Sequence, residues 1–111
     1  MNSERVLVID DEKLVRWSLQ QTLEKEGFAV SLAGSGREGL ALLHEELPDV
    51  ILLDVQLPDI SGLEVLEGIR KSVKDAVVIM ITAFGDVPTA VRAIKMGAHD
   101  FVEKPFNLDK L

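Results

Sequence analysis

The stretch V-I-L-L-D-V-Q-L-P-D-I-S-G, Val50 to Gly62, decides how the rest of the chain is read. Val50 to Leu53 are apolar, β-branched at one end and too few for a helix, and they predict a fully buried strand. A carboxylate, Asp54, follows at once. Pro58, Asp59, Ser61 and Gly62 then break the chain into a loop and restart it as a helix. In α/β proteins the chemistry lies outside the carboxyl ends of parallel strands, which is where such an Asp falls. Asp also ends strands for no functional reason, because it suits turns. This stretch alone leaves both readings open, and the rest of the chain decides between them.

Working outward, the same strand-then-helix unit recurs. Arg5 to Ile9 predicts a first strand, ending in Asp10-Asp11-Glu12. A helix is expected from Lys13 to Glu26, with Val15, Leu19, Thr22 and Leu23 at helical spacing and Gly27 past its end. Phe28 to Leu32 predicts the second strand. Ser35 opens a second helix with Glu38 as its capping-box partner, Leu40, Leu43 and Leu47 as its buried stripe, and Pro48-Asp49 as its stop. Ser61 and Glu64 open the third helix in the same way, with Leu63, Leu66 and Ile69 inward. Gly68 inside it costs about 1 kcal/mol against Ala, with no reason visible in the sequence. Ala76 to Ile81 predicts the fourth strand, ending at Thr82. Asp86 caps a fourth helix that tolerates Pro88 in its first turn, with Val91 and Ile94 inward and Gly97 at its end. Asp100 to Val102 predicts a fifth strand, running into Glu103-Lys104-Pro105-Phe106. Asn107 reads as one more N-cap. Five alternations predict an α/β fold: a doubly wound, five-stranded parallel sheet with right-handed crossovers and the flavodoxin-like order 2-1-3-4-5.

The 111 residues suffice for one domain with one core. The absence of cysteine excludes disulfides, thiol catalysis and Cys-ligated metals. No apolar run approaches the roughly 20 residues of a membrane span, and the first residues lack a signal peptide's apolar region, so a cytoplasmic protein is expected. A net charge of −7 argues against direct nucleic-acid binding by this domain.

Parallel strands present their carboxyl ends along one edge. Asp10 and Asp11, Asp54, Thr82 and Lys104 therefore converge on one crevice from four strands. Three close carboxylates repel one another, and a hard divalent cation such as Mg²⁺ relieves that repulsion. A carboxylate is also a phosphoryl acceptor. In-line phosphoryl transfer asks mainly for positioning and neutralisation of three oxygens, which Mg²⁺, the Lys104 ammonium, and the Thr82 hydroxyl with backbone N–H groups can supply.

The segments V-L-V-I-D-D-E, V-I-L-L-D-V-Q-L-P-D-I-S-G, V-I-M-I-T-A-F and F-V-E-K-P-F resemble the receiver domain of two-component response regulators, over Val6 to Phe106. V-R-W-S-L and I-T-A-F-G-D-V-P-T-A-V-R-A-I-K-M-G-A-H-D-F look most like the nitrogen-regulator type of enhancer-binding activator. The resemblance implies that Asp54 takes a phosphoryl group from a sensor histidine kinase and switches an output domain, with transcription activation as the output. It implies Asp11, Asp54 and the Gln56 backbone carbonyl as direct Mg²⁺ ligands, with Asp10 acting through a bound water. Thr82 and Lys104 would contact the phosphoryl oxygens, and the Lys104–Pro105 bond would be cis. Thr82 and Phe101 would form the switch, Phe101 lacking the hydroxyl of the frequent Tyr. A homodimer through helix four, strand five and helix five is a further expectation. The fifth helix has only Asn107 to Leu111, a truncated single turn, so either residues 1–111 are the receiver domain at the N-terminus of a longer regulator, the preferred reading, or a partner replaces the missing helix.

Two alternatives stand beside this. One is a Mg²⁺-dependent phosphohydrolase with Asp54 as nucleophile. That class usually carries a second acid two residues on, where this chain has Gln56, and it needs a cap for which there is no room. The other is a pseudo-receiver, an interaction module that never sees phosphate; the intact acid set, Thr82 and Lys104 argue against it. Several residues carry plainer readings. Asp59 belongs to the turn after Pro58 rather than to the metal site. His44 and His99 are surface residues without metal-ligating neighbours, Met80 is core, and Met96 packs at a helix end. Trp17 reads first as half-buried packing, and secondly as a mark of the helix-one face where a kinase's helical bundle docks.

Overall fold

A computed structural model describes residues 4–73, 75–82 and 87–103 of the chain. Strands and helices alternate along it as β1 Arg5–Ile9, α1 Lys13–Lys25, β2 Ala29–Ala33, α2 Gly36–Glu46, β3 Val50–Asp54, α3 Gly62–Ser72, β4 Val77–Thr82, α4 Val87–Lys95 and β5 Asp100–Glu103. The five strands form one parallel sheet in the order β2-β1-β3-β4-β5, as expected. The expected cap at Asp86, the cis bond before Pro105 and the short fifth helix lie outside the described residues.

Strand periodicity splits the apolar residues between two faces. Leu7, Ile9, Ile51, Leu53, Val78 and Met80 point to one, where Leu43 of α2, Val65, Leu66 and Ile69 of α3 and Ala93 of α4 cover them. Val6, Val8, Leu52 and Ile81 point to the other, beneath Leu19 of α1. On that second face an apolar groove of about 640 Å³ runs beside α1, floored by Val6, Val50, Leu52, Val77 and Ile79 and walled by Leu23 and Phe28.

Several expectations are corrected. Leu47 is not part of the α2 stripe: it is the C-cap, in the left-handed region with φ 47°, and its side chain is exposed. Val91 and Ile94 do not face inward. They lie exposed with Val87 along the outer side of α4, while Ala93 is the fully buried residue. The difference follows from size, because alanine lets the helix approach the sheet and leaves the larger residues outside. Phe28 precedes β2 rather than starting it. The α2 box is shifted: Ser35 Oγ accepts the Glu38 N–H, but Glu38 reaches back to the N–H of Gly34, not of Ser35. Val65, unremarked in the sequence, is fully buried. Gly68 acquires its reason here, since a Cβ at that position would lie 3.0 Å from Leu40 Cδ2, so the glycine lets α3 settle against α2.

Candidate functional site

Asp10 follows the last residue of β1 and continues its ladder, donating its N–H to the Ala33 carbonyl at 3.0 Å. Its side chain is completely buried. One carboxylate oxygen accepts the N–H of Glu12 at 2.8 Å, which turns the chain into α1. Asp54 ends β3 in register with Ile81 and is also buried. It repeats the same device: one oxygen accepts the N–H two residues on, that of Gln56, at 3.1 Å. Each carboxylate is thus fixed by its own loop, as Asp side chains do at turns.

These two fixed acids stand together with Asp11 and Glu12. One carboxylate oxygen from each of Asp10, Asp11, Glu12 and Asp54 can be chosen so that all four lie within 4.8 Å of one another. Oxygens on opposite sides of an ion bound at 2.0–2.1 Å stand about 4.2 Å apart, so the set closes on a magnesium-sized cation with little movement. Four formal charges in that volume also repel strongly without a cation. The residues fit a hard divalent metal. Glu12 was not singled out in the sequence, although the run Asp10-Asp11-Glu12 carried the signal.

Thr82, the last residue of β4, is buried and pairs with Glu103 of β5. Phe101 pairs with Met80 and packs, half-buried, on the core. The ends of β1, β3 and β4, carrying Asp10, Asp54 and Thr82, thus lie along one edge of the parallel sheet. Lys104 follows Glu103 in sequence and lies outside the described residues.

The backbone around Asp54 is held closely. Val55 donates to the Ile81 carbonyl at 3.0 Å, and Gly62 donates to the Val55 carbonyl at 2.7 Å. A Cβ on Gly62 would collide with the Asp54 carbonyl oxygen and lie 2.7 Å from Val55 Cα. Only glycine lets α3 start this near the acid.

Asp59 takes no part in the acid cluster, in line with its turn reading, but its work was not foreseen. Its two oxygens accept the N–H groups of Gly36 and Arg37, each at 2.9 Å, and Arg37 Nε lies 3.7 Å away. Those N–H bonds, led by that of Arg37, hold its carboxyl below the ordinary carboxylate range. Arg16 was also missed as an individual residue: its guanidinium donates to the Asp10 carbonyl at 2.6 Å.

Comparison with known proteins gives the same picture. The family described as "Response regulator receiver domain" matches residues 6–111. A putative response regulator, NtrX-like, from Rickettsia felis is 42% identical over 113 residues, covering 100% of this chain and 24% of that protein. The beryllofluoride-activated NtrC4 receiver domain dimer superposes with a TM-score of 0.90 at 44% identity, covering 96% of this chain and 88% of that one. A response regulator from Burkholderia pseudomallei, solved with a phosphorylated aspartic acid, a calcium ion and citrate, superposes with a TM-score of 0.93 at 32% identity, covering 97% of this chain and 64% of that one. The chain spans less than half the length of the curated relatives it matches.

Proposed function

Because the chain belongs to the response regulator receiver domain family, we propose that Asp54 is its phosphoacceptor, taking a phosphoryl group from the phosphohistidine of a sensor kinase. The observation that carries this is the buried, loop-fixed Asp54 carboxylate standing within 4.8 Å of three other acids at the carboxyl edge of the sheet. An Asp54 oxygen forms the new bond to phosphorus as the phosphorus–nitrogen bond breaks. The imidazole nitrogen keeps that electron pair and takes a proton from solvent.

Asp10, Asp11 and Asp54, with the Gln56 carbonyl, would hold Mg²⁺, which when bound neutralises the carboxylates and one phosphoryl oxygen. Asp10 and Asp54 keep their carboxylates in place through the Glu12 and Gln56 N–H groups, so little is reorganised on phosphorylation. The Thr82 hydroxyl and the Lys104 ammonium receive the remaining phosphoryl oxygens. Thr82 and Phe101 act as the switch, and phosphate works by favouring one of two populated states. The chain catalyses only its own phosphorylation and dephosphorylation.

Two exposed apolar surfaces support the partners. Leu14 and Trp17 stand out on α1, 79% and 59% exposed, and offer a kinase's helical bundle a docking face. Val87, Val91 and Ile94 run along the outside of α4 and suit a homodimer through the face of α4, β5 and the segment that follows. The greater length of the relatives supports an output domain beyond this receiver, with transcription activation as its task. No helix among the described residues is long and apolar enough to cross a membrane.

Intact mass after treatment with acetyl phosphate and Mg²⁺ tests the reading. One added phosphoryl unit is expected in the wild type, and none in Asp54→Asn or without Mg²⁺. Equal addition to Asp54→Asn would move the acceptor elsewhere. No addition to folded wild type would leave a module that works without phosphate.

A further inference from the structure

Arg16 lies one turn into α1, and its guanidinium reaches back to the carbonyl of Asp10 at 2.6 Å. That oxygen belongs to the peptide joining Asp10 to Asp11, two of the four clustered acids. A peptide group is a rigid plane, so gripping its oxygen sets where the Asp11 Cα lies relative to Asp10. The same nitrogen, Nη1, also lies over the loop after β2, where a Cβ on Gly34 would stand 3.1 Å from it and 3.5 Å from Arg16 Cζ. Gly34 itself is tied down by its N–H bond to Glu38 at 2.6 Å. The fork is therefore seated between two loops, and one of them carries the acid pair.

We propose that Arg16 is a positioning residue for the metal site: it orients the Asp10–Asp11 peptide so that the two carboxylates stand where they would hold Mg²⁺, whose coordination tolerates little displacement of its ligands. This rests on the reading above that these acids hold the ion. Two effects of Arg16 oppose one another. As a cation near the acids it repels a second cation, so a purely electrostatic residue would weaken Mg²⁺ binding and its removal would tighten it. As a clamp it prepares the site, and its removal weakens binding, as loss of groups that orient metal ligands does. The sign of the change separates the two.

The test is calorimetric titration of Mg²⁺ into wild type, Arg16→Gln and Arg16→Lys, with circular dichroism confirming that each is folded. Arg16→Gln is expected to weaken Mg²⁺ binding about tenfold. Lysine can reach the carbonyl but lacks the planar guanidinium that fills the space beside Gly34, so Arg16→Lys is expected to fall between the two. Unchanged or tighter binding in Arg16→Gln overturns the proposal. If the glutamine variant does not fold, unchanged binding in Arg16→Lys does the same. No binding to the wild type would overturn the metal reading and this proposal together, whereas wild-type binding with unaltered variants would overturn this proposal alone.

Discussion

Asp59 accepts the backbone N–H of Gly36 at 2.9 Å, across 23 positions of sequence, and so closes the N-terminus of α2 from the loop that leaves Asp54. A helix start has N–H groups without intrahelical partners, and the positive end of the helix dipole favours a carboxylate there. The Arg37 N–H completes the pair.

The bond has a pH signature. Asp59 is held below its ordinary value of 3.8, chiefly by the Arg37 N–H. A carboxylate depressed by folding contributes stability above its unfolded pKa, and that contribution is lost as pH falls through the folded value. Asp59→Ala is therefore expected to be less stable than wild type at neutral pH. The gap should narrow below 3.8 and vanish beneath the lowered value. Urea unfolding of both proteins across that range checks it; a gap independent of pH would exclude the charged cap.

Gly62→Ala places a methyl group against the Asp54 carbonyl and Val55 Cα. Neither backbone atom can turn aside as a side chain would. A loss of about 2 kcal/mol is expected from overpacking. Phosphoryl uptake from acetyl phosphate should also slow, because the peptide that carries the acceptor must shift. Wild-type rates in a destabilised variant would show that the strain is absorbed by α3 instead.

Leu47 holds φ at 47° with its side chain 67% exposed. It gives up conformational freedom at a helix end without much burial in return. Leu47→Gly removes a strain of about 1–2 kcal/mol and adds less than that in backbone entropy, so a gain of about 0.5 kcal/mol is expected in urea unfolding.

Arg70 ties three segments together. From α3 it donates to the Gly97 carbonyl after α4, through Nε at 3.1 Å and Nη2 at 2.7 Å, and to the Ala76 carbonyl before β4 at 2.8 Å. Arg70→Met keeps most of the stem and removes every donor. A loss of about 2 kcal/mol is expected, with Arg70→Lys recovering part of it.

The strands and the acids were legible because they rest on local signals, and the sheet order followed from the five strand–helix alternations. Apolar runs that stop at Asp10 and Asp54 state both the strand and the acid at its end. The orientation of α4 was not legible in the same way. Val87, Val91 and Ile94 recur at helical spacing, and so do Ala90, Ala93 and Gly97; periodicity reports a face without saying which one is buried. Gly68 and Asp59 were opaque for another reason. Each answers to a partner on a separate element, Leu40 and the α2 N-terminus, that only the packed chain brings near. Arg16 stayed hidden because its partner is a carbonyl oxygen, which leaves no mark on residue type.

The small seat of α4 sets how firmly that helix is held. α3 is anchored by Val65, Leu66 and Ile69, all fully buried, whereas the only fully buried residue of α4 is Ala93. Each buried methylene adds about 0.8 kcal/mol, so an alanine anchor resists detachment far less than a branched one. Amide hydrogens of α4 should accordingly exchange with deuterium well before those of α3, through a local opening that leaves the sheet intact. α4 is then lifted from the sheet more cheaply than α3.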